Sequence, residues 1–240
     1  MAYSPEDDLL GKKMNQTEEG HPPVLVSVDV VVLTLVDQAL HLVLVQRERA
    51  PFAGVWALPG GHIHADEDAD AKTSANRVLR EKAGITGAYL EQLATFSGPA
   101  RDPRGWSVAI VYCALVAAHK LPVQREGLRL TPVQALPQLP FDHRDIVQAA
   151  LARVRSKSQY SSLPVHLCGE QFTLPQLQQV YEGILGEELN KVSFRRKMEE
   201  MQLLEAVAGA RAGGGAHRPA QLYRVRPAFR RDLALSARGL

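Results

Sequence analysis

Two groups of residues in this sequence have the types and spacing to do chemistry. In the first, Arg47, Arg49, Phe52 and Trp56 fall close together, as do Arg101, Arg104 and Trp106. Guanidiniums grip a pyrophosphate through paired N–H donors, and an indole or phenyl face stacks on a base, so this mixture suits a nucleoside diphosphate derivative. The second group is cationic: Lys191, Ser193, Arg195, Arg196 and Lys197, followed by His217, Arg218, Arg224 and Arg226. Residues 189–231 hold 10 Lys/Arg against 3 Asp/Glu, whereas residues 1–159 hold 17 against 18. A density of that kind meets polyanions, through phosphates and guanine edges.

Elements must position both groups. Residues 1–22 are polar and read as a flexible arm. From Val24 to Val36 β-branched residues dominate; Asp37 and Gln38 then turn the chain into His41–Gln46, a strand hairpin by pattern. Leu58-Pro59-Gly60-Gly61 is a sharp turn. Asp66 or Asp68 is expected to cap a helix whose apolar stripe is Ala71, Ala75, Val78, Leu79 and Ala83, and Gly84 ends it. Strand patterns return at Tyr89–Phe96 and Ser107–Val116, and a helix capped by Asp142 runs through Val154. The serine-rich stretch Ser156–Ser162 has linker composition and is expected to absorb movement between domains.

Beyond it, Thr173 caps a helix with Pro175 in its first turn and Leu177, Val180, Tyr181, Ile184 and Leu185 as its buried stripe. Asn190 caps a second helix, Lys191 to Gln202. Burying Val192, Phe194, Met198 and Met201 there would turn Lys191, Ser193, Arg195, Arg196 and Lys197 outward. Two short helices in this arrangement are the spacing of a helix-turn-helix, whose second helix enters the major groove. Leu203–Val207 and Pro219–Val225, joined by the basic glycine-rich loop Gly209–Arg218, read as its wing. The domains are therefore expected at residues 1–22 (arm), 23–159 and 160–240.

Composition sets the outer bounds. With 240 residues, 45% hydrophobic and 22% charged, the chain is globular rather than fibrous or disordered. No apolar run is long enough to span a bilayer and no signal peptide pattern opens the chain, so a cytoplasmic protein without a membrane partner is expected. Cys113 and Cys168 are far apart in sequence and expected to be reduced thiols, not zinc ligands.

Strand hairpin, Gly-Gly turn, alanine-rich helix ending in Gly, then further strands: residues 24–157 resemble the Nudix domain, and Arg77-Val78-Leu79-Arg80-Glu81-Lys82-Ala83-Gly84-Ile85 stands where that family's Arg-Glu-aliphatic-x-Glu-Glu-x-Gly-aliphatic motif would. In the active family three glutamates on one helix face hold the divalent cations that activate water. Here only Glu81 remains, Val78 offers no oxygen, Lys82 is a cation, and the interval from Glu67 to Arg77 is two residues longer.

Adding Phe172-Thr-Leu-Pro-Gln-Leu-Gln-Gln-Val-Tyr-Glu-Gly-Ile-Leu-Gly186, Asn190-Lys191-x-x-Phe194-Arg195-Arg196-Lys197 and Arg218-Pro-Ala-Gln-Leu-Tyr223 extends the likeness to about nine tenths of the chain. The whole is similar to the Nudix-related transcriptional regulators of NAD metabolism. That resemblance implies an α/β fold: an α/β/α sandwich with a mixed sheet, followed by a winged helix-turn-helix. It further implies a homodimeric repressor of NAD biosynthesis or salvage genes on double-stranded palindromic operator DNA, with no required cofactor, no catalytic or metal site, and ADP-ribose or a related NAD metabolite as effector. The expected effector residues are Arg47, Arg49, Phe52, Trp56, Arg77, Glu81, Arg104 and Trp106. Those expected at DNA are Lys12, Lys13, Thr173, Gln176, Lys191, Ser193, Arg195, Arg196, Lys197, His217 and Arg218. The alternatives are an active Nudix hydrolase of ADP-ribose or another nucleoside diphosphate derivative, and an RNA-binding protein using the same basic helix.

Overall fold

The β-branched run near the start of the chain becomes the strand β1 (Leu25–Val36), whose middle residues are buried on both faces. The computed structural model describes residues 20–122, 125–212, 220–229 and 233–236. Lys12, Lys13, His217 and Arg218 lie outside them. Asp37 and Gln38 both take positive φ, 48° and 63°, the backbone that a tight hairpin demands, and lead into β2 (Ala39–Gln46). β1 pairs antiparallel with β2 and with the short β4 (Gly60–His62), and parallel with β6 (Ser107–Leu115). β5 (Tyr89–Gly98) completes that edge, while β3 (Trp56–Ala57) and β7 (Leu128–Pro132) pair with β2, giving a mixed seven-stranded sheet.

Alternation along β1 distributes its side chains between two cores. Val28, Val30 and Val32 join Ala75, Val78, Leu79 and Ala83 of the first helix, α1 (Ala71–Val78), and the π-type turn Leu79–Ala83 that continues it. Val31 and Leu33 instead meet Ile146, Val147, Ala150 and Val154 of α2 (His143–Tyr160). The sheet is thus sandwiched between helices. Asp70, rather than Asp66 or Asp68, caps α1 by accepting the Thr73 N–H at 2.6 Å.

The expected linker is absent as such. Ser156–Tyr160 form the last turn of α2, and Ser158, Ser161 and Ser162 are buried. Their hydroxyls bond inward: Ser158 Oγ donates to the Val154 carbonyl and Ser161 Oγ to that of Lys157, each at 2.7 Å, while Ser162 Oγ accepts the Ala234 N–H at 2.9 Å. A serine whose hydroxyl closes on the preceding turn sits inside a helix end, whatever its composition suggests.

After a 3₁₀ turn at Leu163–Leu167 come α3 (Leu174–Leu185), α4 (Lys191–Met201), β8 (Leu204–Ala212) and β9 (Ala220–Val225). β8 and β9 pair antiparallel, and Phe172 bridges to Tyr223. Their core is Val165, Phe172, Leu177, Tyr181, Phe194, Met198, Met201 and Leu203. Ile184 of α3 belongs to the same core as α2, so the two halves share apolar packing. Gly183 makes that approach possible, since a Cβ there would lie 2.7 Å from the Gln38 carbonyl oxygen.

Candidate functional site

The first cluster forms where the loops after β2 and β5 meet the start of α2. Arg47 donates from Nε to the Pro51 carbonyl (2.8 Å) and lies over the Phe141 ring, 4.9 Å from its centroid. Phe52 meets Phe141 edge-on, with centroids 5.0 Å apart. Both phenylalanines hold positive φ, 63° and 56°. That backbone is costly for a bulky side chain, and such strain concentrates at functional sites.

Beneath this surface runs a buried polar network. Arg101 clasps Asp142 with Nε and Nη2, both at 3.0 Å, and approaches Asp29 to 3.7 Å. Asp142 therefore begins α2 without capping it by its side chain, contrary to the sequence reading. The Asp29 carboxylate sits against Gly60, where a Cβ would come within 2.0 Å of Oδ1, so only glycine allows that approach. Burial pushes Asp29 up to about 6, with Arg101 opposing. His143 Nδ1 accepts the Leu58 N–H at 3.2 Å, and burial, with the cations Arg101 and Arg47 adding, pushes its pKa down to about 3. A neutral imidazole follows at neutral pH.

Arg77 is held from several sides. It makes a two-pronged bond to Asp68 (2.8 and 2.7 Å), donates to the His62 carbonyl (2.9 Å) and to Ser74 Oγ (3.2 Å), and comes within 3.6 Å of Glu81. The Arg77 bonds hold the Asp68 carboxyl well below the usual carboxylate range. Arg77 thus ties the 62–70 loop to α1 rather than offering a free guanidinium. Arg104 grips Asp102 the same way (3.0 and 2.7 Å), and its Nη1 lies 3.2 Å from His62 Nε2, which links this loop to Arg77. Trp106 is 46% and Phe52 42% exposed, and Arg49 is exposed. Trp56 stands apart, half-buried against the α2-side core with Arg129 5.8 Å over its ring.

A divalent cation does not fit this frame. Val78 is buried beneath Gly61, Glu81 shares its carboxylate with Arg77 and Arg80, and Lys82 occupies the next position. Among the described residues no group of three or more His, Cys, Asp or Glu is arranged to hold a metal ion.

The second cluster is α4. Asn190 caps it by accepting the Val192 and Ser193 N–H groups (3.1 and 3.0 Å). Lys191, Ser193, Arg195 and Arg196 are exposed as expected. Two residues are reversed. Val192, expected inside, is 78% exposed, and Lys197, expected outside, is 5% exposed with Nζ donating to the Gln159 carbonyl. The buried stripe is Phe194, Lys197, Met198 and Met201, spaced three, one and three, as a helix requires; Val192 and Phe194, two apart, cannot share a face. Arg195 and Arg196 each pair with a glutamate four residues on, Glu199 at 3.2 Å and Glu200 at 3.6 Å. Thr173 is buried in a capping box with Gln176, which turns back on it, so the Thr173 side chain does not face outward. Arg224 pairs with Glu205 across the wing.

A model of the NUDIX domain matches residues 25–150, and a model of the NrtR DNA-binding winged helix domain matches residues 164–225. The chain is 41% identical over 209 residues to the ADPR responsive transcriptional repressor NtrR of Acinetobacter baylyi, covering 85% of this chain and 83% of that protein. The chain belongs to the NrtR family. Shewanella oneidensis NrtR, solved with a 27mer DNA, matches at TM-score 0.82 and 37% identity over 90% of this chain and 99% of that one. The NUDIX domain of the same NrtR, solved with ADP ribose, matches at TM-score 0.51 and 34% identity over 63% of this chain and 99% of that one.

Sequence reading missed Asp29, Asp142 as a partner of Arg101, Phe141 and His143 in the first cluster. A buried acid in the middle of a β-branched strand was the available signal for Asp29, because an unpaired carboxylate is costly there. Among the described residues no helix is long and apolar enough to cross a membrane.

Proposed function

We propose that this chain is a homodimeric transcriptional repressor of NAD biosynthesis or salvage genes, released from a palindromic operator by ADP-ribose, and acting at the nucleoid in the cytoplasm. One observation carries the reading: a strained, cation-bearing aromatic cluster stands at one end of α2, and a capped helix with exposed Lys191, Ser193, Arg195 and Arg196 is docked at the other. Arg49 serves the pyrophosphate, Phe52 and Trp106 offer faces for the base, and Arg47, Arg77, Arg104 and Glu81 shape the cleft walls. Val192 sits on the first turn of α4 among these cations, where apolar contact with a thymine methyl is open to it. Two-fold symmetry matches a protein reading half-sites about 34 Å apart per helical turn to a symmetric operator.

Against hydrolysis stand a buried Val78 and a cationic Lys82 at two motif positions where the active family carries glutamates, leaving Glu81 alone. Purified protein with Mg²⁺ or Mn²⁺ should leave ADP-ribose intact, while turnover of the order of 1 per second would replace the regulator by an enzyme. Operator fragments selected from random duplex DNA should be bound by two chains and released by ADP-ribose; capture of structured RNA in preference to duplex would overturn the DNA reading.

A further inference from the structure

Lys197 occupies a position that packing alone would give to an apolar residue. It lies on the buried stripe of α4 between Phe194 and Met198, at 5% exposure. Among the described residues no carboxylate comes within 4.0 Å of its ammonium, whose hydrogen bond is to the Gln159 carbonyl, one residue before the end of α2. The last carbonyls of a helix lack partners within it and carry the negative end of its dipole, so an ammonium there is well matched. Desolvating an ammonium for one carbonyl is nevertheless costly, and a hydrophobic side chain of similar volume usually serves stability as well or better. Stability alone does not call for a charge at this position.

Other bonds tie the same helix end. Tyr181 Oη donates to the Ser161 carbonyl (2.9 Å) and the Ser236 N–H to that of Tyr160 (2.8 Å), so the carbonyls at and just after the end of α2 are shared out among Lys197, Tyr181 and Ser236. The opposite end of α2, about 27 Å away at 1.5 Å per residue, carries Asp142 in the grip of Arg101, Phe141 beneath Arg47 and His143 against Leu58. One rigid helix spans the two clusters.

We infer that Lys197 is a positioning residue through which α2 sets the orientation of the DNA-reading helix, so that displacement of α2 at the nucleotide cleft is transmitted to the face bearing Arg195 and Arg196. This rests on the reading of that cleft as the effector site. A ligand shifts such an equilibrium only by its differential affinity for two arrangements, and the contacts at this end of α2 on which a ligand could act are those of Arg101 with Asp142 and of Arg47 with Phe141.

The test is the ratio of operator affinities with and without saturating ADP-ribose, measured on the full chain with an operator fragment selected by the protein itself. In Lys197→Met the ratio should fall at least fivefold towards one, with calorimetric affinity for ADP-ribose within twofold of wild type, and Lys197→Arg should restore it. A full ratio in Lys197→Met overturns this inference alone, whereas a ratio of one in the wild type with the cleft occupied overturns the sensor reading beneath it. If Lys197→Met fails to fold, hydrogen exchange of the wild type decides. ADP-ribose should alter protection across Ser158–Ser162 and α4, and unchanged protection there contradicts the inference.

Discussion

Arg77 was expected as a ligand-binding guanidinium, and its bonds recast it as the clasp of a loop: both prongs go to Asp68, with a third bond to His62. Arg77→Ala leaves the Asp68 carboxylate without its two-pronged partner and should lower stability. It should also weaken ADP-ribose binding through a loosened 62–70 loop, which denaturant unfolding and calorimetry together would register. Unchanged stability would mean the pair is not formed in solution. His143 gives a pH signature. Its folded value of about 3 lies below the unfolded 6.5, so the folded state refuses a proton that the unfolded state accepts. This group's stabilisation is complete above pH 6.5 and is lost as pH falls towards 3. Asp29, pushed up to about 6, works in the opposite sense between pH 3.8 and 6 but is common to wild type and His143→Gln. That variant should therefore lose less melting temperature on acidification than wild type, and parallel pH profiles would place the acid sensitivity elsewhere.

At the scale of elements, α4 carries the DNA prediction. Arg195→Ala and Arg196→Ala should each cost roughly 1–3 kcal/mol of operator binding if the guanidinium is bidentate to a base, with Lys191→Ala weaker and visible mainly in the salt slope. Wild-type affinity in the double mutant would remove α4 from the interface. The helix and three of its buried residues, Phe194, Met198 and Met201, were legible from Asn190 and the apolar pattern, but the fourth was not. A charged residue on the buried stripe breaks the binary pattern that periodicity relies on, so Val192 was read into the place that Lys197 holds. Composition misled in the same way at Ser156–Ser162, where the hydroxyls satisfy carbonyls inside a packed junction. By contrast β1 and its hairpin turn were legible, because β-branched residues buried on both faces leave few other conformations. The network of Asp29, Arg101, Asp142 and His143 joins residues 41 to 114 positions apart, and no local pattern encodes such pairings.

For the whole molecule, the two halves meet through shared core and buried hydrogen bonds rather than a pliable tether. At Gly183, α3 packs directly on the β1–β2 turn, where a Cβ would lie 2.7 Å from the Gln38 carbonyl oxygen. Gly183→Val should push the halves apart at a cost of about 1–3 kcal/mol, and calorimetry should then show two transitions where wild type shows a more cooperative one; a single unshifted transition would mean the interface yields without cost. An effector cleft and a DNA-reading helix joined by one helix must obey reciprocity, each ligand changing the other's affinity by the same factor. The most direct measurement is therefore operator binding by anisotropy at increasing ADP-ribose, with cleft occupancy followed by calorimetry on the same protein. Operator affinity should fall as the cleft fills, and saturating operator DNA should weaken ADP-ribose binding by the same factor. Operator affinity that stays constant at full occupancy of the cleft would contradict the account.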